Sequence, residues 1–446
     1  MGYSKFSLLW NLYQLKQNEQ KTRKQIKDLQ NKKLRKLLYY AYDHSPYYHQ
    51  SFEANGISRN LISSLPLSKF PSINKDILME HFNQVVTTKD ITQELLRNFD
   101  EKANKTEKTL KGKYHVVHSS GSTGAPKYFV YNNKAWSQML LGIIRGALWG
   151  MDIIQIIKLL SGGVRILYIA ATDGRYGGAM AVGDGIDILG AKQLFLDIKT
   201  PLPKWVESVQ KFQPNIIIGY PSAIKILGGL MEKQNLETKV LRVISCGEPL
   251  PIGLRTYLEH LFGAVVVNFY GSSESLALGV ETNPAEGIFL FDDMNIIEIE
   301  NGQMYLTSLY NYTQPLIRYH MTDQLTLIKE KETYLYPFTQ AGLLLCRNED
   351  VLWFENKEGE REFLHPLAVE GLCIEGLLDY QFQQTDKDAF EMLAEISGDK
   401  DKIRREILQQ IKHILHKKNL GYVRFFVRFV NEIMPDAKTG KKRLIA

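Results

Sequence analysis

The sequence predicts an α/β protein, with a large N-terminal α/β domain containing parallel sheets and a small C-terminal α+β domain. Three observations carry this expectation. Short β-branched runs alternate with amphipathic stretches through the middle of the chain, the pattern of parallel strands joined by crossover helices. After residue 280 the character changes, and strand-like runs follow one another. At 446 residues the chain also exceeds what one core usually supports, so two or more domains are expected.

Residues 1–46 carry a basic excess, seen in "KTRKQIKDLQNKKLRKLL", and read as a helical extension with a solvated face. Peripheral contact with an anionic membrane is the alternative reading. The apolar run in "FSLLWNLYQL" is short and no small-residue cleavage site follows, so no secretory signal is expected. In "WSQMLLGIIRGALWGMDIIQIIKLLSGGVRILYIAA" the charges of Arg145, Asp152, Lys158 and Arg165 interrupt the apolar residues. The expectation there is a buried helix followed by a strand, with no integral membrane segment.

Next, "RILYIAA" reads as a strand and "LPKWVESVQKF" as a helix, followed by strand "PNIIIGY", helix "PSAIKILGGLMEKQN", strand "VLRVISCG", helix "LPIGLRTYLEHLFG" and strand "AVVVNFYG". "GIFLFDDMNIIEIENGQMYLTSL" reads as antiparallel strands turning at "ENGQ". The domain boundary is expected near "LLLCRNEDVLWF", dividing 1–346 from 347–446. Beyond it, Ile403, Ile407, Leu408, Ile411, Ile414 and Leu415 share one helical face, and Val423, Phe425, Val427 and Phe429 alternate at strand spacing.

A composition of 44% hydrophobic and 23% charged residues is that of a globular protein, and a net charge of +6 gives no argument for nucleic acid. Cys246, Cys346 and Cys373 lie far apart and are odd in number, which fits a reducing, cytoplasmic setting and gives no disulfide or zinc pattern.

The stretch "HSSGSTGAPKYFVY", residues 118–131, interrupts two strand-like runs with hydroxyls, glycines and a lysine. Glycines let backbone N–H groups approach an anion, hydroxyls donate, and a lysine neutralises phosphate oxygens. It is not a Walker A loop, because Lys127 lies three residues past Gly124 and a strand follows in place of a helix. On composition alone a surface turn and a phosphate cradle both remain open.

Three later stretches decide between them: "NFYGSSES", "IRYHMTDQ" and "PDAKTGKKRLIA". In this order the set resembles the adenylate-forming superfamily, which includes acyl-CoA synthetases and the adenylation domains of nonribosomal peptide synthetases. "SSGSTGAPK" is similar to its phosphate loop, "YGSSE" to its Tyr-Gly-x-[ST]-Glu motif and "RYHMTD" to its Tyr-x-x-x-Asp segment. "CRNEDV" resembles its hinge and "TGKKR" its C-terminal Gly-Lys motif. "LLYYAYDHSPYYHQSFEANGI" and "LPLSKFPSINKDIL" further resemble the phenylacetate–CoA ligase-like branch, which includes capsular polysaccharide biosynthesis relatives.

The resemblance implies attack of a carboxylate on the α-phosphate of ATP, then acyl transfer, with CoA the favoured acceptor over an amine, a carrier-protein thiol or a sugar hydroxyl. Ser119, Ser120, Gly121, Ser122, Thr123, Gly124 and Lys127 would hold the β- and γ-phosphates. Tyr270 would stack near the adenine, with Gly247, Glu248 and Pro249 on its other side, and Gly271, Ser272 and Ser273 belong to the same nucleotide-binding set. Glu274 would bind Mg²⁺, Asp323 the ribose hydroxyls, and Arg347 the nucleotide from the hinge. Lys441 would bridge the carboxylate and the α-phosphate, and rotation about residues 347–350 would withdraw it after adenylation.

The chain departs from the pattern at Thr322, Cys346 and Glu349, where the branch commonly has Gly or Arg, Gly and Asp. "VETNPAEGIFLFDD" holds no Cys or His, so the zinc site of some relatives is not expected. Gly163, Gly177, Gly178 and Arg175 read as a pocket-lining loop or a structural turn, and His118 and His365 as structural histidines. A non-catalytic nucleotide-binding protein and a membrane-peripheral scaffold are the alternatives of another class.

Overall fold

The computed structural model describes the chain apart from residues 1–4, 102–107, 120–126, 173–176, 237, 249, 251, 302, 322, 324, 329–334, 343–351, 356–358, 360, 365, 370–371, 373, 432, 434–443 and 446. An eight-stranded sheet organises the larger part. Its parallel half consists of Arg165–Ala170, Lys192–Asp197, Ile216–Gly219, Arg242–Cys246 and Val265–Ser272. Numbered along the chain, these strands lie in the order 2-1-3-4-5 across the sheet. Connections therefore leave the first and third strands toward opposite edges, which opens a crevice at their carboxyl ends.

Each strand and helix read from the alternating segment is present. The sequence reading assigned nothing between residues 178 and 201, where helix Gly177–Leu189 and strand Lys192–Asp197 lie. That strand is the edge of the sheet, and of its residues only Leu196 is fully buried. It lacks the burial pattern that makes a strand readable.

The sheet is mixed. Ser275–Glu281, Ile288–Leu290 and Gln340–Ala341 continue it antiparallel. The reversal thus comes at residues 273–274, before the change of character at 280; Ser275–Glu281 is almost wholly buried, which leaves its direction unread. A smaller sheet joins Asn295–Glu300, Gln303–Ser308 and Tyr319–Met321. Its hairpin pairs Glu300 with Gln303, and Asn301 takes the positive φ of 51° that a tight turn asks for.

The basic N-terminal segment is packed into this body. Helix Arg23–His44 starts from a capping box between Thr22 and Gln25 and buries Ile26, Leu34, Leu37, Leu38 and Ala41. Three of its basic residues dock on the fold. Arg23 donates to Thr339 Oγ1 (3.1 Å), Lys33 to the Asp293 carbonyl (2.6 Å) and Arg35 to the carbonyls of Ile62 (2.8 Å) and Leu65 (2.7 Å). The long apolar region forms two helices, Asn133–Ala147 and Ile153–Ser161, before its strand; the first is largely buried and the second exposes Ile154 and Ile157. Among the described residues no helix is long and apolar enough to cross a membrane.

Toward the C-terminus, the hairpin Leu352–Glu355/Arg361–Leu364 precedes a three-stranded sheet of Leu377–Asp386, Ala389–Ile396 and Arg424–Val430. Helix Lys400–Lys417 connects its parallel pair and buries Ile403, Ile407, Ile411 and Leu415. Leu408 stays exposed, so the apolar stripe is narrower than the sequence face. Lys418, fully buried, joins this part to the larger one. It donates to the Thr200 carbonyl (2.7 Å) and pairs with Glu362 (3.2 Å), which also accepts from the Leu202 amide (2.8 Å). Glu362 thereby caps helix Leu202–Phe212, whose own N-cap, Pro201, has no side chain to do so.

Candidate functional site

Strand Tyr114–Ser119 pairs antiparallel with Lys127–Asn132, so the Ser/Gly loop spans the end of a hairpin. Successive side chains in a strand point to opposite faces, which puts Lys127, Phe129 and Tyr131 together on one side. Ser119 lies opposite Lys127 in the ladder, while Ser120, Gly121, Ser122, Thr123 and Gly124 fall outside the described residues. At the base of the loop, His118 Nδ1 and the Tyr128 hydroxyl both meet Asp100 Oδ2 (3.1 and 3.3 Å), which gives His118 a structural part.

Lys127 is not alone. The segment before helix Lys75–Glu80 is stitched to the strand carrying Tyr319: Ile73 donates to the Arg318 carbonyl (3.2 Å) and accepts from the His320 amide (2.8 Å). Asn74 then caps the helix through the Ile77 amide (2.9 Å), and Lys75, next along the chain, sets its charge beside Lys127. Burial and the Lys75 charge push the Lys127 ammonium down to about 8, against the pull of Glu274 and Asp76.

Glu274 sits in the two-residue turn between Val265–Ser272 and Ser275–Glu281. A side chain at Gly271 would place its Cβ 2.3 Å from the Leu276 carbonyl, so the backbone approaches closely there. Burial around the Glu274 carboxyl raises it above its ordinary range, although its own amide, Lys127 and the Ser272 hydroxyl favour the charged form. The Tyr319 hydroxyl hydrogen-bonds the same carboxylate. Beside it, the Tyr270 hydroxyl donates to Asp323 Oδ2 at 2.9 Å.

The structure therefore brings Lys127, Tyr270, Ser272, Glu274 and Asp323 together at the carboxyl end of the Val265–Ser272 strand. Gly247 follows the neighbouring strand with φ +80° and packs on Tyr220, where a Cβ would lie 2.7 Å from the ring. The Glu248 side chain is engaged with the Ser222 amide (3.2 Å) and hydroxyl (3.0 Å), capping helix Pro221–Lys233. Pro249, Arg347 and Lys441 lie outside the described residues, as do Arg175, His365, Thr322, Cys346 and Glu349. On either side of Lys441, Ile433 and Ile445 are buried, and Ile445 bridges Phe382 of the C-terminal sheet.

Lys75, Tyr131 and Tyr319 are members that sequence reasoning did not assign. Tyr319 stands inside a recognised motif, and Lys75 and Tyr131 stand inside "LPLSKFPSINKDIL" and "HSSGSTGAPKYFVY", where no spacing singles them out. Two neighbouring ammonium groups, one of them held down to about 8, beside a carboxylate raised by burial, form a charge arrangement that suits a polyphosphate and a hard cation. Among the described residues no three His, Cys, Asp or Glu side chains converge on a metal position. A Mg²⁺ ion here would therefore depend on Glu274 together with ligand phosphates and water, a usual arrangement for that ion.

The model of the AMP-binding enzyme family matches residues 73–288. Protein CapK of Staphylococcus aureus is 24% identical over 445 residues, spanning 93% of this chain and 88% of the relative. A phenylacetate–coenzyme A ligase of Aromatoleum evansii is 25% identical over 334 residues, 70% of this chain and 68% of the relative. The indoleacetate–lysine synthetase of Pseudomonas savastanoi is 31% identical over a shorter 145 residues, 31% of this chain and 36% of the relative. In fold, the chain matches a 2-hydroxyisobutyryl-CoA ligase solved with 2-HIB-AMP and CoA, with a TM-score of 0.61 at 18% identity over 96% of this chain and 91% of that one. Taken with the order of the motifs, these matches place residues 73–288 in the AMP-binding, adenylate-forming superfamily and make the chain as a whole similar to its ligases.

Proposed function

We propose that this enzyme activates a carboxylic acid with ATP and passes the acyl group to CoA, releasing AMP. The observation that carries this reading is the meeting of Lys127, Lys75, Glu274 and Tyr319 with the Tyr270–Asp323 pair at one end of the sheet. In the first step a carboxylate oxygen bonds to the α-phosphorus as the bond to the bridging oxygen breaks, and pyrophosphate leaves. Such a step needs charge neutralisation and alignment more than covalent help. Lys127 and Lys75 would balance the β- and γ-phosphate charge, and Asp323, oriented by Tyr270, would accept from the ribose hydroxyls. When bound at Glu274, Mg²⁺ would supply further neutralisation of phosphate oxygens. Lys441 would neutralise charge between the carboxylate and the α-phosphate.

In the second step the CoA thiolate attacks the acyl carbon and AMP leaves with the bonding pair. The two phenylacetate-ligase and 2-hydroxyisobutyryl-ligase likenesses support CoA, whereas the indoleacetate–lysine synthetase match supports an amine acceptor. We assign residues 347–446 as the moving domain, with the Lys418–Thr200 and Glu362–Leu202 hydrogen bonds as contacts that rotation must open. Identical domain orientations in crystals with an ATP analogue and with an adenylate analogue would count against that rotation.

The test is carboxylate-dependent ATP–pyrophosphate exchange over a panel of aryl, acyl and amino acids, with Lys441→Ala alongside. Exchange with one acid, lost in the variant, is the expected result. AMP release in the presence of that acid with CoA, or with an amine, then identifies the acceptor. No exchange and no ATP binding would overturn the reading.

Lys127 gives a pH signature. Its ammonium form, held down to about 8 in the free protein, is favoured by a bound polyanion. Nucleotide binding above pH 8 should therefore take up a proton, and affinity should fall with rising pH by at most about tenfold per unit. Calorimetry in buffers of different ionisation enthalpy measures this uptake. Lys127→Arg should remove this contribution, because a guanidinium stays protonated throughout; uptake identical in the two proteins would refute the assignment.

A further inference from the structure

The Ser273–Glu274 turn is not one that the local chain favours. Ser272 pairs directly with Ser275, leaving a two-residue connection. Such turns are best served by positive φ values and by Gly or Asn. Neither Ser273 nor Glu274 has a positive φ. Contacts from outside the turn therefore bear on its conformation.

Beside the Ser275 amide's bond to Ser272 Oγ (3.4 Å), a buried hydroxyl meets both turn carbonyls. Tyr131 is fully buried, and its Oη lies 2.9 Å from the Glu274 carbonyl and 3.2 Å from the Ser273 carbonyl, donating to both. Tyr131 stands on the same strand face as Lys127 and Phe129. Lys127 acts on the Glu274 carboxylate, Phe129 meets the Tyr319 ring edge-on (6.3 Å between centroids), and Tyr319 hydrogen-bonds that carboxylate. One face of one strand thus addresses the backbone of Glu274, its charge and its hydroxyl partner.

The strand is itself fastened on its outer edge. The Val130 amide donates to Gln314 Oε1 (2.8 Å), and its carbonyl accepts from Asn311 Nδ2 (3.0 Å). Gln314 Nε2 also donates to the Tyr128 carbonyl (3.2 Å). The strand is therefore a rigid reference from which a turn can be set.

We propose that Tyr131 is a positioning residue that fixes the Glu274 carboxylate relative to the phosphate-loop hairpin, and so sets how well the site takes a divalent cation with its nucleotide. This rests on the function proposed above. Its hydroxyl's partners are the Ser273 and Glu274 carbonyls, so it acts through the turn. A displacement of that turn on the scale of an ångström is enough to misplace a metal-binding carboxylate.

The test is Tyr131→Phe in the full chain, with Tyr310→Phe as control. Tyr310 also places a buried hydroxyl beside this turn, 2.8 Å from Ser275 Oγ, but it touches neither the Ser273 nor the Glu274 carbonyl. Binding of α,β-methylene-ATP is measured by calorimetry without metal and across a Mg²⁺ titration, and thermal melts follow folding. Tyr131→Phe should bind the analogue without metal as wild type does, and require about tenfold more Mg²⁺ for half-maximal enhancement. With saturating Mg²⁺, KM for ATP should be unchanged and the exchange rate lowered by about tenfold. Tyr310→Phe should lower the melting temperature with no change in the Mg²⁺ requirement. If both variants lose similar stability and neither changes that requirement, the hydroxyl is structural only and the inference falls. If wild type shows no Mg²⁺-dependent enhancement, the proposed function fails first and takes this inference with it.

Discussion

Glu274→Gln should lower pyrophosphate exchange by about 10²–10³-fold, the scale seen when one charge-stabilising group is removed from a preorganised site. That corresponds to roughly 3–4 kcal/mol of barrier. The substitution should do so without destabilising the protein. A carboxyl whose folded-state pKa is raised, as burial raises that of Glu274, stabilises the fold only while protonated. That contribution is lost as pH rises through the folded value, above which the ionised group is a cost. Glutamine keeps the shape and can still accept from Tyr319 and Ser272. A thermal midpoint at or above that of wild type, with exchange nearly abolished, is the expected pair of results. Exchange within threefold of wild type would remove Glu274 from the chemistry.

Asp293→Ala should have the largest effect on stability, at about 3–5 kcal/mol. Asp293 and Arg145 are both fully buried and joined by two charged hydrogen bonds of 2.7 and 3.0 Å. Burial alone would push the Asp293 carboxyl up, but Arg145, Lys33 and the Asn18 amide outweigh it and hold it below the usual range. Arg145 lies over the Phe291 ring (4.2 Å) and also donates to the Leu15 carbonyl (3.4 Å). The node thus ties helices Lys5–Asn18 and Arg23–His44 to the body. Removing the carboxylate strands a guanidinium with no water to solvate it, whereas Arg145→Met with Asp293→Leu removes both charges and should recover most of the loss. Denaturant midpoints of the single and double variants measure this. A single variant no less stable than the double would refute the stranded-charge account. Because the folded carboxyl is depressed, the stabilisation is present above the ordinary carboxylate pKa and is lost only as pH falls through the lower folded value.

How much of this was readable beforehand follows from how far each signal reaches along the chain. The strands Arg165–Ala170 and Ile216–Gly219 and the helix Leu202–Phe212 were readable because burial on one or both faces imprints a period of a few residues. Strand Lys192–Asp197 was not, because an edge strand has little to bury. Strand Ser275–Glu281 was not assigned either, and burial on both faces would leave its direction unread, because parallel and antiparallel strands then look alike. In the candidate site, Lys127, Tyr270, Glu274 and Asp323 were picked out by short motifs in a fixed order. No spacing singles out Lys75 or Tyr131.

The sequence by itself determined the kinds of element, their order, the α/β class, and the chemical groups a nucleotide-activating ligase would use. Only the tertiary structure decided which of those groups meet. Tyr131 reaches a carbonyl 143 residues away, Arg145 a carboxylate 148 residues away, and Arg318 the Phe70 carbonyl 248 residues away. Periodicity and propensity act over one or two turns of chain. Which lysine stands beside another, and which hydroxyl holds a turn, follow from packing across the whole fold, where burial makes each such pairing worth more than it would be in water.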